Sequence, residues 1–261
     1  MNVPSLDSIT LKNIRSQVPQ AYTLTQRDIS RFWYANKGHF KDTCKSLSET
    51  MHWRQEFNYD NILEEDFSDL VKTRKVFFHG NAKDGTPVLV WRSCKHFANP
   101  EEREREKRFY VWILAKAEKE GLLPEKVTIV YDRTGATHAN ADLGLAKEVF
   151  PLFQHHFPER LKNVFVFPSS FLLSSLWYCV RPFIDTVTAQ KVHIWKENEY
   201  QSKILEYIDT ENLLERFGGT GVESTGTSIG TETVKIIHPH PPETRCKLED
   251  HVATPSPTEV L

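Results

Sequence analysis

No stretch of this 261-residue chain carries 18 consecutive apolar residues, so the sequence offers no membrane-spanning helix. Residues 1–17, with Pro4, Asp7, Lys12 and Arg15 among isolated apolar positions, lack the continuous hydrophobic run of a secretion signal. Cysteine is scarce as well. Cys44, Cys94, Cys179 and Cys246 stand far apart with no C-x-x-C pair, the pattern of reduced intracellular thiols rather than of a disulfide framework. An excess of basic charge is also missing: Lys plus Arg number 33 against 35 Asp plus Glu, a formal charge of -2. A nucleic-acid partner is therefore not expected.

Catalytic motifs are absent too. Gly218, Gly219 and Gly221 form no G-x-x-x-x-G-K-[ST] loop and follow no strand, and there is no G-x-S-x-G and no H-E-x-x-H. His155 and His156 are adjacent, and adjacent helical side chains diverge, so a shared metal is not expected. His238 and His240 flank Pro239 in a proline-rich stretch and read as solvated chain. A triad assembled from distant residues would leave no local signal, but the expectation is no catalytic residue, no metal and no cofactor.

With 39% apolar residues, the chain can bury one principal core and a smaller lobe. Residues 1–24 carry no decisive pattern. From Thr25, Ile29, Phe32 and Trp33 share a helical face, and after Gly38 the series Phe40, Cys44, Leu47, Met51 continues one. Residues 25–70 thus read as a helical lobe that must pack on something larger. The period then changes. Lys75–Phe78 and Pro87–Trp91 read as two strands around an Asp84-Gly85 turn, and Val127–Tyr131, Val164–Phe167 and Val192–Trp195 as single strands between helices. The charge run 101–108 reads as a solvated helix face, with Glu101–Arg105 and Glu104–Arg108 at i,i+4. A last helical pattern, Tyr200, Ile204, Ile208, Leu213, Leu214 and Phe217, closes on Gly218-Gly219. The fold expected is α/β: a small N-terminal helical lobe packed on a mixed, mainly parallel β-sheet with helices. Residues 222–261 contain five prolines and no aromatic residue, the composition of a disordered tail. The terminal carboxylate could serve a groove-binding protein partner.

The most apolar segment follows Pro168. Phe171, Leu172, Leu173, Leu176, Trp177, Val180 and Phe183 cover most of a helix circumference rather than one stripe. Such a helix is either central in a core or meets something apolar on its second face.

The ordered set of motifs resembles the CRAL-TRIO lipid-exchange family, in particular its phosphatidylinositol transfer proteins. It comprises His156-Phe157-Pro158-Glu159-Arg160, Pro168 with Phe171, Arg181-Pro182-Phe183-Ile184-Asp185 leading to Thr188 and Lys191, Asp84-Gly85 with Pro87, Asp132 with Gly135, and Phe217-Gly218-Gly219. The resemblance covers residues 25–221 and implies a lipid-binding domain at 71–221. It implies one bound phospholipid under an apolar gate helix, with Phe171, Leu172, Leu176, Trp177, Val180 and Phe183 forming the gate and acyl-chain cavity. Glu159, Thr188 and Lys191 fall on the positions that bind the head group in the phosphatidylinositol-binding members. An ammonium and a hydroxyl suit a phosphodiester, and a carboxylate suits inositol hydroxyls. A structural Glu159–Lys191 ion pair is the alternative. Two departures stand out. The positions that carry hydroxyl side chains in phosphatidylcholine-exchanging members are Phe78, Leu89, Val127 and Ile129 here, and an Arg-x-Arg-Lys stretch of the lobe is Tyr34, Ala35, Asn36, Lys37. The resemblance thus implies a non-catalytic cytoplasmic carrier that meets membranes transiently. A carrier of a sterol, retinoid or tocopherol, or an interaction module without lipid exchange, stays open.

Overall fold

Thr25 opens the helical lobe with a reciprocal cap: its hydroxyl accepts from the Asp28 amide at 3.1 Å and Asp28 accepts from the Thr25 amide at 3.2 Å. In this computed structural model, residues 4–170, 173, 177–179 and 181–223 are described, Phe183 by its backbone alone. Helix α2 (Gln26–Ala35) and α3 (Phe40–Glu56) are joined by a turn in which Gly38 takes φ +76°. The segment left without assignment by the sequence forms α1 (Ser8–Gln17), capped by Asp7, and a 3-10 turn at Pro19–Thr23. Ile14, Val18, Ala21 and Leu24 from this segment close a lobe core with Ile29, Phe32 and Leu47. A third helix is what lets two amphipathic helices bury their inner faces.

Beyond the short helix α4 (Ser68–Lys72), five strands form one sheet in the order β1-β2-β3-β4-β5. Strands β1 (Val76–Asn81) and β2 (Pro87–Arg92) are antiparallel, whereas β2, β3 (Val127–Asp132), β4 (Leu161–Phe167) and β5 (Val192–Ile194) run parallel. Helix α5 (Arg103–Lys119) connects β2 to β3 and α6 (Leu143–His156) connects β3 to β4. Because the strand order advances steadily, right-handed crossovers place both on one face of the sheet. Their side chains do share one core with Phe78, Leu89 and Val127. The opposite face carries Phe77, Val90, Val130, Phe165 and Phe167 and is covered by Trp195, Ile208, Leu213, Phe217 and α8 (Tyr200–Ile204).

Two local expectations are corrected. Arg105 and Arg108 do not pair along their own helix: Arg105 makes a bidentate contact with Asp69 at 2.6 and 2.9 Å, and Arg108 grips Glu65. The two-pronged contact with Asp69 is of the stronger, bidentate kind. The last apolar series is not one helix. After α8 it runs through 3-10 turns at Thr210–Asn212 and Glu215–Phe217. There the chain passes so close to β1 that a Cβ on Gly80 would lie 2.5 Å from the Asn212 carbonyl oxygen.

Candidate functional site

Strand alternation sends Thr128, Val130, Phe165 and Phe167 to the closed face, where all four are fully buried. Their neighbours Ile129, Tyr131, Val164, Val166, Val192 and Ile194 point to the helix-bearing face, where Val166 is buried and the other five are not. This floor packs, through Ile129, against the core that α5 and α6 share. Along its side runs α6, to which the segment after β4 is tied by the Asp185 amide donating to Gln154 Oε1 at 3.0 Å. Of the predicted gate and cavity residues, Trp177 is half-buried and Phe183 lies in a 3-10 turn at Arg181–Phe183. Phe171, Leu172, Leu176 and Val180 lie outside the described residues. Next to Trp177, Tyr178 is 83% exposed, and Leu173 is buried.

The three predicted head-group residues stand at the amino ends of β4 and β5. Glu159 occupies the turn before β4 with φ +58°. Thr188 lies in α7 (Thr186–Gln190), whose N-cap Asp185 accepts from the Thr188 amide at 2.9 Å. Lys191 ends that helix, and its carbonyl accepts from the Val164 amide at 2.8 Å, which fixes it at the start of β5. Lys191 forms no ion pair among the described residues. Glu159 instead accepts from Lys126 Nζ at 2.9 Å, so the direct Glu159–Lys191 pair is not made. Burial pushes the half-buried Lys191 ammonium below its ordinary range; Glu159 and Asp185 oppose the shift, and Lys126 and Lys162 add to it. An ammonium so placed gains from an added anion.

Sequence reading missed Lys126 and Lys162. Lys162 pairs with Asp84 of the hairpin turn at 3.0 Å. A signal was present: Lys126, Lys162 and Lys191 each stand at or just before the amino end of successive parallel strands, where side chains of neighbouring strands converge. A cleft of about 240 Å³, lined by Arg27, Asp84, Lys126 and Lys162 among others, lies on this rim. A second, of about 230 Å³, separates the helical lobe from the turn after α6 and contains Arg31, Arg54, Tyr59, His156 and Arg160. Neither is lined by Glu159, Thr188 or Lys191. In the second cleft His156 stacks on Trp53 with centroids 4.3 Å apart and bonds Thr50 at 3.0 Å. Burial, helped by His155, lowers the His156 pKa to about 4. Among the described residues, no group of His, Cys, Asp and Glu could hold a metal ion.

A mixed sheet with one sealed face, a half-covered apolar floor on the other and a charged rim defines an α/β domain with a one-sided apolar platform. The chain belongs to the CRAL/TRIO domain family, which matches residues 71–219 and comprises lipid-binding and transfer proteins. It is 28% identical over 199 residues to a CRAL-TRIO domain-containing protein of Schizosaccharomyces pombe, covering 72% of this chain and 44% of that one. It is similarly 28% identical to the phosphatidylinositol/phosphatidylcholine transfer protein SFH12 of Arabidopsis thaliana, covering 73% of this chain and 38% of that one. The SEC14 cytosolic factor of Yarrowia lipolytica is 27% identical over 69% of this chain and 40% of its own length. The chain thus spans less than half of these relatives. The crystal structure of Sfh5 superposes with a TM-score of 0.62 at 16% identity, covering 88% of this chain and 96% of that one, which establishes the shared fold.

Proposed function

We propose that this chain binds a phospholipid, phosphatidylinositol foremost, and carries it between membranes without chemical change. The observation that supports this reading is the meeting of Glu159, Thr188 and the unpaired Lys191 ammonium with the half-covered floor of Ile129, Val164 and Val192. Burying hydrocarbon contributes about 0.8 kcal/mol per methylene, so an acyl chain of about 16 carbons stays in a bilayer by roughly 10 kcal/mol unless an apolar platform receives it. The floor is the candidate platform, and the segment around Trp177 its cover. At the rim, Lys191 and Thr188 would hold the phosphodiester and Glu159 the inositol hydroxyls. The exposed Tyr178 beside the half-buried Trp177 suits transient contact with a membrane surface. No helix of the described residues is long and apolar enough to cross a membrane, which fits a cytoplasmic protein that visits membranes peripherally. Any protein partner would use residues 222–261.

Phosphatidylcholine would be carried poorly. Phe78, Leu89 and Val127 are buried in the core with α5 and offer no side-chain hydrogen bond, and Ile129 offers none from the floor. The test is transfer of labelled phosphatidylinositol and phosphatidylcholine between vesicles. Lys191→Ala should slow inositol-lipid transfer about 10- to 100-fold, the loss of one sheltered charge-assisted hydrogen bond, with an unchanged melting temperature. Glu159→Ala should act in the same direction. Unchanged transfer by a folded Lys191→Ala protein, or efficient phosphatidylcholine transfer by the wild type, would overturn the respective half of this assignment.

A further inference from the structure

Of the buried Lys and Arg residues among those described, Arg31, Lys75 and Arg160 each meet a carboxylate. Arg133 does not. It is 7% exposed, and among the described residues its side chain donates one hydrogen bond, from Nη1 to Ser170 Oγ at 3.0 Å. Burial pushes its guanidinium below the ordinary arginine range, opposed only by Tyr131. Arginine nonetheless stays charged in a protein, so this is a buried positive charge with a neutral hydroxyl as its neighbour.

Its position gives that charge a use. The Asp132 side chain turns to the closed face and meets Arg216 at 2.8 Å. The Arg133 amide still pairs with the Phe167 carbonyl at 2.7 Å, so strand alternation continues past β3 and sends Arg133 to the open face with Ile129 and Tyr131. Ser170, which Arg133 holds, also accepts from the Leu173 amide at 3.2 Å. Arg133 therefore stands at the carboxyl end of the apolar floor. Lys191 stands at the amino end, the six residues of β3 or about 20 Å away.

We propose that Arg133 anchors the carboxylate of a long-chain fatty acid whose hydrocarbon lies along the open floor, head to the carboxyl end of the sheet. A single buried positive charge is balanced by a monoanion. A phosphate monoester would bring up to two charges against one. A phosphodiester would bring a head alcohol that needs hydrogen-bond partners of its own beyond the guanidinium. A carboxylate at the end of a single chain adds one charge, accepts the guanidinium fork and needs no further donors. This ligand would share the floor with the phospholipid proposed above, and so compete with it, but it uses none of the rim residues.

The experiment uses the full chain and compares binding of oleate with that of oleyl alcohol, which has the same hydrocarbon and no charge. Wild type should bind the acid about 10- to 100-fold tighter. Arg133→Leu should erase that preference with alcohol affinity unchanged, and Lys191→Ala should leave it intact. Without ligand, Arg133→Leu should melt at or above the wild-type temperature, because an uncompensated buried charge is removed. A lowered melting temperature together with a retained acid preference would make Arg133 a structural tie to Ser170 and overturn the proposal. A wild-type readout guards against a variant that does not fold: carboxyl-labelled oleate followed by carbon NMR should titrate below the ordinary carboxylate range when bound. Titration at the free value overturns the proposal. Equal affinity for acid and alcohol overturns it while leaving the phospholipid reading standing, and failure of both to bind removes the platform on which both readings rest.

Discussion

The two faces of the sheet are built from the same strands, yet one is sealed and the other is not. Phe165 and Phe167 are fully buried under α8 and the turns that follow it, and Phe167 stacks on Tyr200 with centroids 4.3 Å apart. Val164, one residue away from Phe165, is only half-covered. A strand interior of valine, isoleucine and phenylalanine is what a doubly covered parallel sheet requires, so composition does not tell the faces apart. The difference is one of cover. It separates residues that hold the fold from residues available to a ligand.

The sharpest break of that comparison is a pair of truncations in β4. Phe165→Ala on the sealed face should cost about 3 to 5 kcal/mol in urea unfolding, the usual toll of a cavity under a fully buried aromatic side chain. Val164→Ala on the open face should cost under about 1 kcal/mol, because little cavity is left behind. Equal losses would show that both faces are packed alike. Next in size is Arg216→Ala, which strands the fully buried Asp132 carboxylate on the sealed face and should cost about 3 kcal/mol.

A smaller effect concerns the joint between lobe and domain. The folded-state pKa of His156, about 4, lies below its unfolded value of 6.5 because the buried ring resists protonation. The unfolded chain therefore binds the proton first as pH falls. Stability is whole above pH 6.5 and is lost between 6.5 and about 4, by roughly 1 to 2 kcal/mol once partial solvent access is allowed for. His156→Phe keeps the stack on Trp53 and should flatten that part of the stability curve; an unaltered slope would assign it to other groups. Smallest is Glu101→Ala. Arg105 is held by Asp69 rather than by Glu101, so the change should stay within about 0.5 kcal/mol.

Much of the architecture was legible because periodicity follows from covalent geometry. The helix start near Thr25, the Asp84-Gly85 hairpin, all five strands and the bounds of three of them to within a residue could be read from alternation and turn residues. Residues 8–17 escaped because the face of α1 is carried by few apolar positions, Ile14 foremost, and acquires meaning only against Ile29 and Leu47. The edge of the domain was less legible. Glu223 lies past the point where the composition changes, yet Arg92 donates to both its oxygens at 2.8 and 3.0 Å.

For the candidate site, the sequence by itself determined which residue types are present: a carboxylate, a hydroxyl and an ammonium at spacings shared with a known family, and an apolar segment between them. The tertiary structure alone decided their electrostatic partners. Glu159 turned to Lys126 and left the Lys191 ammonium half-buried and, among the described residues, without an ion pair, because residues 33 positions apart meet only where parallel strands begin side by side. It also decided which of two like arginines is compensated. Arg160 reaches Glu118, whereas Arg133, sent to the open face by the alternation of β3, reaches among the described residues a serine and no carboxylate. Charge pairing is a property of distance in space, and a linear sequence carries no record of that distance.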